Sequence, residues 1–313
     1  MTQYDLLIIG AGPAGLTAAM YGRRAGLSVG IFEQLTPGGQ MRLTGDIENW
    51  PGLAVTTGDE LSEAMRAQAA SFGAEFMEET VTGLIPASRS GGPDHIIKVR
   101  GKELAAPAVI IASGAYHKGL DAPGAKEFNG RGVSYCAICD AGFFRDQEVA
   151  VVGGGNTALE QAMYLTNHAS KVHLVHRRDE FRAHKLVQDR LEGHPKIVKH
   201  LGYDVARIEG ADSVGRLHLV HKKTGEVKIL DVPGIFLFVG SAPHGEFLPE
   251  EIKTSEGGWV VTDRSLQTSV PGVFAAGDVR DTDLRQIITA AGDGALAAMN
   301  AYGYLAKRQQ PAV

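Results

Sequence analysis

The first apolar run, Leu6-Leu7-Ile8-Ile9, gives way to a glycine-rich stretch and then to apolar residues at helical spacing, Leu16, Ala19 and Met20, from about Pro13 onward. A second apolar run, Ser28-Val29-Gly30-Ile31-Phe32, stops at the acid Glu33. Short apolar runs bounded by turn residues read as strands and three-and-four spacing reads as a helix, so residues 6–33 predict strand, turn, helix, strand. The same order returns later: Val149-Ala150-Val151-Val152, the turn Gly153-Gly154-Gly155-Asn156-Thr157-Ala158, a helix, then Val172-His173-Leu174-Val175. Glu33 follows Gly10 by 23 residues, and His176 follows Gly153 by the same 23. The helical faces also match, Leu16, Ala19, Met20 and Tyr21 against Leu159, Ala162, Met163 and Tyr164. A third pattern lies near the end, where residues 272–278 read as a buried strand closing in Gly277-Asp278, followed by Arg285-Gln286 and a small-residue helix to about Tyr304. A repeated unit of this kind predicts two α/β domains, each with a nucleotide.

The chemistry of the turns explains why glycine recurs in them. In Gly10-Ala11-Gly12-Pro13-Ala14-Gly15, the first glycine permits a tight turn, the second lets backbone approach a pyrophosphate, and the third lets helix and strand pack closely. Helix N–H groups then face the phosphates, and Glu33 is placed to accept hydrogen bonds from ribose hydroxyls. At the equivalent place the second unit carries His176-Arg177-Arg178, with Arg182 one helical turn farther on if a helix follows. An acid there would repel a phosphate on the 2′-hydroxyl, whereas guanidinium groups bind one in bidentate fashion. Two charge-assisted bonds at about 1.5–3 kcal/mol each imply a preference for NADP over NAD on the order of 10² to 10⁴. A solvated basic helix start is the bland alternative. The first unit is then expected to take FAD, with Asp278 beside the ribityl chain and the following helix start facing the flavin pyrimidine.

At 313 residues the chain is long enough for two domains with a sizeable core each. A formal charge of -5 without a long Lys/Arg block argues against nucleic acid or an anionic membrane as main partner. No apolar stretch reaches membrane-spanning length and no basic n-region precedes Leu6, so a cytosolic protein is expected. Both cysteines fall in Cys136-Ala137-Ile138-Cys139-Asp140. At this spacing the pair can close a small-ring disulfide, and if it opens a helical turn the dipole favours thiolate on the first. Half of a zinc site and inert packing are the competing readings; no second cysteine pair or close histidine pair completes a zinc set, and no metal is expected.

With these motifs in order, the chain resembles the low-molecular-weight, bacterial-type, NADPH-dependent thioredoxin reductases. Gly38-Gly39-Gln40-Met41, Glu48-Asn49-Trp50-Pro51-Gly52, Ala112-Ser113-Gly114-Ala115 and Ala291-Gly292-Asp293-Gly294 look like further family segments. Ser113 stands where Thr is usual, Ala141-Gly142 inverts the usual order, and Gly240–Gly245 lacks the usual Asn after its proline. The resemblance implies an α/β fold of two nucleotide-binding three-layer domains of the FAD/NAD(P)-binding type, the NADP domain (118–247) inserted into the FAD domain (1–117 plus 248–313). It implies FAD contacts from Gly10, Gly12, Pro13, Ala14, Gly15, Glu33, Gln34, Gly39, Gln40, Thr44, Asn49, Val81, Ala112, Ser113, Gly114, Gly277, Asp278, Arg285, Gln286 and Ile287. NADPH contacts would come from Gly153, Gly155, Asn156, Thr157, Ala158, His176, Arg177, Arg178, Arg182 and Gly240. Cys136 and Cys139 would form the active disulfide, with Asp140 exchanging protons with the departing thiol. Thioredoxin would dock near Arg131, Phe143 and Phe144, the domains would rotate on two hinges, and the enzyme would be a homodimer. Ferredoxin as donor, a small disulfide or peroxidase component as acceptor, and a non-catalytic flavin-binding regulator are the alternatives.

Overall fold

Leu6–Ile9 forms strand β1 with every residue buried, and Pro13–Arg24 forms helix α1. Pro13 sits in the first turn, where its missing N–H costs nothing, and Arg23 and Arg24 lie at the negative end of the helix dipole. Strand β2 is Val29–Glu33, so it takes in the acid that ends the apolar run. Helix α2, Gly58–Ser71, starts in a capping box in which Glu60 N–H donates to Thr57 Oγ1 and Thr57 N–H donates to Glu60 Oε2. Strand β3 (Glu75–Glu78) follows, then β4 (Val81–Ile85), β5 (His95–Val99) and β6 (Lys102–Ala106) as an antiparallel sheet, then β7 (Ala108–Ile111).

The computed structural model describes residues 4–44 and 46–308. It divides them into two units, the first comprising the described residues to Tyr116 and from Ala242 onward, the second His117–Ser241. The crossing segments Ala115–His117 and Ser241–Pro243 pair with each other as short strands. Within the second unit come β8 (Val133–Ser134), the one-turn helix α3 (Ala137–Asp140), β9 (Glu148–Gly153), α4 (Asn156–Leu165), β10 (Lys171–His176), α5 (Lys185–Leu191) and β11 (Ile197–Leu201). The antiparallel strands β12 (Tyr203–Gly210), β13 (Val214–His221) and β14 (Val227–Asp231) follow, and β15 (Gly234–Phe238) closes the unit. Back in the first unit, β16 (Val273–Ala275) leads to the long helix α6 (Ile287–Arg308).

The two units are built alike. The parallel sheet of the first runs β16-β7-β1-β2-β3 and that of the second β8-β15-β9-β10-β11. In the first, Leu6 and Ile8 pack with Leu16, Ala18 and Ala298 of the helices, while Leu7 and Ile9 pack with Leu84 and Ile97 of the antiparallel sheet. In the second, Val149 and Val151 face the helices with Leu159 and Val187, and Ala150 and Val152 face Leu217 and Leu219. A strand covered on both faces needs an unbroken apolar run, which is why both β1 and β9 lack alternation. Helix α6 lies close on α1 at Gly294, where a Cβ would strike the carbonyl of Ala14. Among the described residues no helix is long and apolar enough to cross a membrane.

Candidate functional site

The first glycine turn is shaped by three different constraints. Gly10 has φ of 102° and no room for a side chain against the Ala112 carbonyl, and a Cβ on Gly15 would strike Gly10 O. Gly12 is the opposite case, since a Cβ there would meet nothing within 4 Å. The space beside it is open. At the end of β2 the Glu33 carboxylate accepts the N–H of Ala11 through Oε2 (3.0 Å) and the N–H of Leu35 through Oε1 (3.1 Å). Both oxygens are thereby fixed at the turn and keep lone pairs for further donors. A cavity of about 260 Å³ opens next to it, lined by Glu33, Leu35, Thr36 and Pro37 with Phe76, Met77 and Glu78. Gln34 is exposed, Val81 is half-buried, Pro13 and Ala14 start α1, and Gly39 backs onto Gly12.

The loop from β16 to α6 carries the second group of the same unit. Burial pushes the Asp278 carboxyl up to about 6, against the pull of Arg285. The Arg285 guanidinium lies 3.9 Å from the Trp259 ring centroid and donates to the carbonyls of Asp278 (3.3 Å) and Arg280 (3.1 Å). Asp293 accepts the N–H of Gly277 (3.1 Å) and pairs with Arg280 (2.6 Å), fixing the Gly-Asp turn to α6. Asn49 donates to Gln286 (3.1 Å), Thr44 to the carbonyl of Gln40 (3.4 Å), Gln40 to that of Ala115, and Ser113 to that of His244 (2.6 Å). Ala112 is buried, Gly114 has open space where a side chain would stand, and Ile287 packs on the small cluster of Met41, Ile47 and Leu61. Trp259, Arg280 and the role of Asp293 went unread in the sequence, because contacts made across 13 or more residues leave no periodic signal.

In the second unit Gly155 caps α4 and is open at its Cβ position, while Gly153 is confined by the Phe238 carbonyl. Thr157 is exposed and Ala158 buried in the first turn of α4. The His176 ring lies flat against Gly154, where any Cβ would collide with it, and stacks on Phe181 at 5.7 Å. Burial, then Arg182, Arg178 and Arg177, hold its imidazole below the usual range, and its Nε2 is buried without a partner among the described residues. No helix follows β10 directly; residues 177–184 form an irregular loop, and α5 starts only at Lys185. Arg182 therefore reaches the cluster differently, its N–H donating to Gly154 O (2.7 Å), while His184 N–H donates to Asn156 Oδ1 (2.7 Å). All three arginines are exposed. Gly240 lies instead at the crossing, where Lys118 N–H donates to its carbonyl (2.8 Å).

Cys136 and Cys139 are joined by a disulfide at the head of α3. Cys136 is the N-cap, its sulfur 3.2 Å from the N–H of Cys139, and its own N–H donates to Ser134 Oγ (3.0 Å). Asp140 ends the turn; burial raises its carboxyl, partly offset by a hydrogen bond with Ser134. Ala137 and Ala141 anchor the motif in the helix-side core, while Ile138 and Phe143 are exposed. Phe144 turns inward, edge-on to Phe236 at 5.5 Å. Arg131 sits over Phe128 and donates to the carbonyls of Glu127 and Asp212. The ring of Tyr135, just before the disulfide, stacks on His117 at 5.0 Å.

Two dinucleotide-type turns in twin three-layer units, with a disulfide capping a helical turn beside one of them, define an oxidoreductase that works on disulfides. The chain belongs to the pyridine nucleotide-disulphide oxidoreductase family, which matches residues 4–294, and within it to the thioredoxin reductases. It is 44% identical to the thioredoxin reductase of Bacillus subtilis (strain 168) over 308 residues, 98% of this chain and 96% of the relative. The solved thioredoxin reductase of Streptococcus pyogenes MGAS5005 is 44% identical with a TM-score of 0.93, covering 97% of this chain and 99% of its own. That of Lactococcus lactis, solved in an FR conformation, is 43% identical over the same shares with a TM-score of 0.66.

Proposed function

We propose that this enzyme carries electrons from NADPH through FAD to the Cys136–Cys139 disulfide and from there to oxidised thioredoxin. The observation that carries the reading is that the disulfide and the His176-Arg177-Arg178 turn belong to one unit of a thioredoxin reductase chain. In the first unit, open space at Gly12 and Gly114, the fixed carboxylate of Glu33 and the adjoining cavity fit a dinucleotide such as FAD, with Asp278, Arg285 and Gln286 toward the flavin end. In the second, three exposed guanidinium groups and the unpartnered, buried His176 Nε2 fit a 2′-phosphate, with Gly155 and Thr157 at the pyrophosphate. The flavin would supply two-electron transfer between a reduced nicotinamide and a disulfide.

The chain's own residues then perform thiol–disulfide exchange. Once reduced, Cys136 attacks one sulfur of the partner's disulfide and the other sulfur leaves as a thiolate. Cys139 attacks Cys136 in the mixed disulfide, releasing the partner as a dithiol and restoring the Cys136–Cys139 bond. Asp140, kept protonated to higher pH than a free aspartate by burial, supplies a proton to the departing sulfur. Ile138 and Phe143 offer the partner an apolar contact, with Arg131 nearby in sequence; Phe144 is spent on the core.

The two crossing segments act as hinges for a rotation that lets nicotinamide and disulfide use one flavin in turn. Two solved relatives of almost equal identity that differ widely in TM-score support such mobility in the family. A homodimer is supported by an apolar stripe on α6, where Ile288, Leu296, Met299 and Tyr302 are all exposed. The enzyme is read as cytosolic because both cysteines serve a cycling pair and none a structural staple.

Anaerobic titration tests the reading. NADPH is expected to bleach the bound flavin, and oxidised thioredoxin to restore its colour in the wild type but not in Cys139→Ser. A flavin that NADPH leaves oxidised contradicts the reading and favours a ferredoxin donor; restoration by a small disulfide but not by thioredoxin changes the acceptor.

A further inference from the structure

The basic loop after β10 contains a charge that works against its proposed ligand. Asp179 and its neighbour Glu180 lie between Arg178 and Arg182, exposed like them, and Asp179 would repel a dianionic 2′-phosphate. It would also draw a neighbouring guanidinium into an ion pair. Among the described residues no such ion pair forms; Asp179 pairs instead with Lys223, from the hairpin turn between β13 and β14. Among the described residues Arg177, Arg178 and Arg182 take part in no ion pair.

That turn is built to hold Lys223 where it is. His221 Nδ1 lies 3.2 Å from the N–H of Thr224 and 3.4 Å from that of Lys223, so the ring braces the turn from within. The turn is tied to the basic loop through Gly202, whose N–H donates to Arg178 O (3.0 Å) and whose carbonyl accepts the N–H of Lys222 (2.8 Å). Gly202 has φ of 75°, and a Cβ on it would stand 2.6 Å from His221 Nε2 and 3.1 Å from Asp179 Oδ1. Only glycine lets ring and carboxylate approach so closely. Strand end, hairpin turn and basic loop thus form one clasp.

We propose that Lys223 is a positioning residue for coenzyme specificity: by holding and neutralising Asp179 it leaves Arg177, Arg178 and Arg182 free for the 2′-phosphate. The proposal rests on the NADPH reading of this turn. Lys223 itself touches no coenzyme and acts only through Asp179.

Steady-state kinetics of the holoenzyme with NADPH and with NADH, thioredoxin in excess, test it. Lys223→Met is expected to raise the NADPH KM about three- to tenfold, with kcat and the NADH parameters held within about twofold, since an exposed pair acts weakly except on a nearby charge. The difference should fade in about 1 M salt, where the screening length is near 3 Å. Lys223→Arg should behave as wild type, and Asp179→Asn added to Lys223→Met should recover the NADPH KM. An unchanged NADPH KM in Lys223→Met, an equal change for both coenzymes, or no recovery by Asp179→Asn overturns the proposal while leaving the NADPH reading standing. A wild type that does not discriminate between the two coenzymes overturns that reading and the proposal with it.

Discussion

The N–H of Cys139 points at the sulfur of Cys136 across 3.2 Å, so one half of the redox pair solvates the other. In the reduced protein the same N–H would stabilise a Cys136 thiolate; among the described residues the turn offers no such donor to the Cys139 sulfur. Cys136 in Cys139→Ser should therefore form thiolate more readily than Cys139 does in Cys136→Ser, by thiolate ultraviolet absorbance. Equal titration of the two would mean that the cap does not survive reduction.

Gly10 and Gly12 separate folding from binding within three residues. Gly10→Ala places a side chain on a φ of 102° and against the Ala112 carbonyl, and should cost about 3 kcal/mol or more of stability by urea unfolding. Gly12 has φ of -75° and open space beyond it. Gly12→Ala should leave the apoprotein within about 0.5 kcal/mol of wild type, yet lower flavin affinity at least about tenfold, read from the flavin absorbance of the purified protein. Full flavin content in Gly12→Ala would place the phosphates elsewhere.

Asp140 links the disulfide to pH. Its folded carboxyl is raised by burial, so the protonated form persists upward in pH and the rate of thioredoxin reduction should fall as pH rises through that value. Asp140→Asn should flatten this limb and lower turnover about 10²-fold. It should not destabilise the protein at pH 7, because it removes a charge that burial disfavours. A pH profile of unchanged shape in Asp140→Asn would assign the proton to another group.

A second pH dependence sits in the core. His173 joins Glu148 at 2.8 Å and the buried His200 at 3.0 Å, and burial together with His173 and Lys228 pushes His200 down to about 4. Unfolded, that imidazole takes its proton near 6.5; folded, it resists until about 4. The stability concerned is fully present above pH 6.5 and lost as pH falls toward 4, by at most about 3 kcal/mol. Thermal unfolding should show this fall in wild type and little of it in His200→Gln. An identical fall in both would trace it to other groups.

The stripe on α6 predicts its own disruption. Leu296→Glu and Met299→Glu together should convert a dimer to a monomer in sedimentation at micromolar concentration, with secondary structure retained. A dimer that withstands both charges uses another face.

The parallel strands, the glycine turns and α6 were legible because their cause is local: apolar runs, helical spacing and residues chosen for the turn. The equal interval from glycine to β2 or β10 end also gave the duplication. What escaped reading depends on distant partners. His173 looks like one more strand residue, and nothing around it in the chain points to His200. The loop 177–184 resembles a helix start in composition but is held open by the Gly154 carbonyl and Asn156. Phe143 and Phe144 are adjacent and alike, yet only the second finds Phe236.

Each parallel sheet ends in an edge strand drawn from a different place, β8 from the start of the inserted unit and β16 from beyond residue 270. On the ribosome the consequence is a fixed order of assembly. The inserted unit owns every strand of its sheets once Ser241 has emerged, and can close before the outer unit, which still lacks β16 and α6. Until those residues arrive, the four strands β1, β2, β3 and β7 lack their β16 edge and the cover of α6, so the nascent outer unit stays open longer than the inserted one.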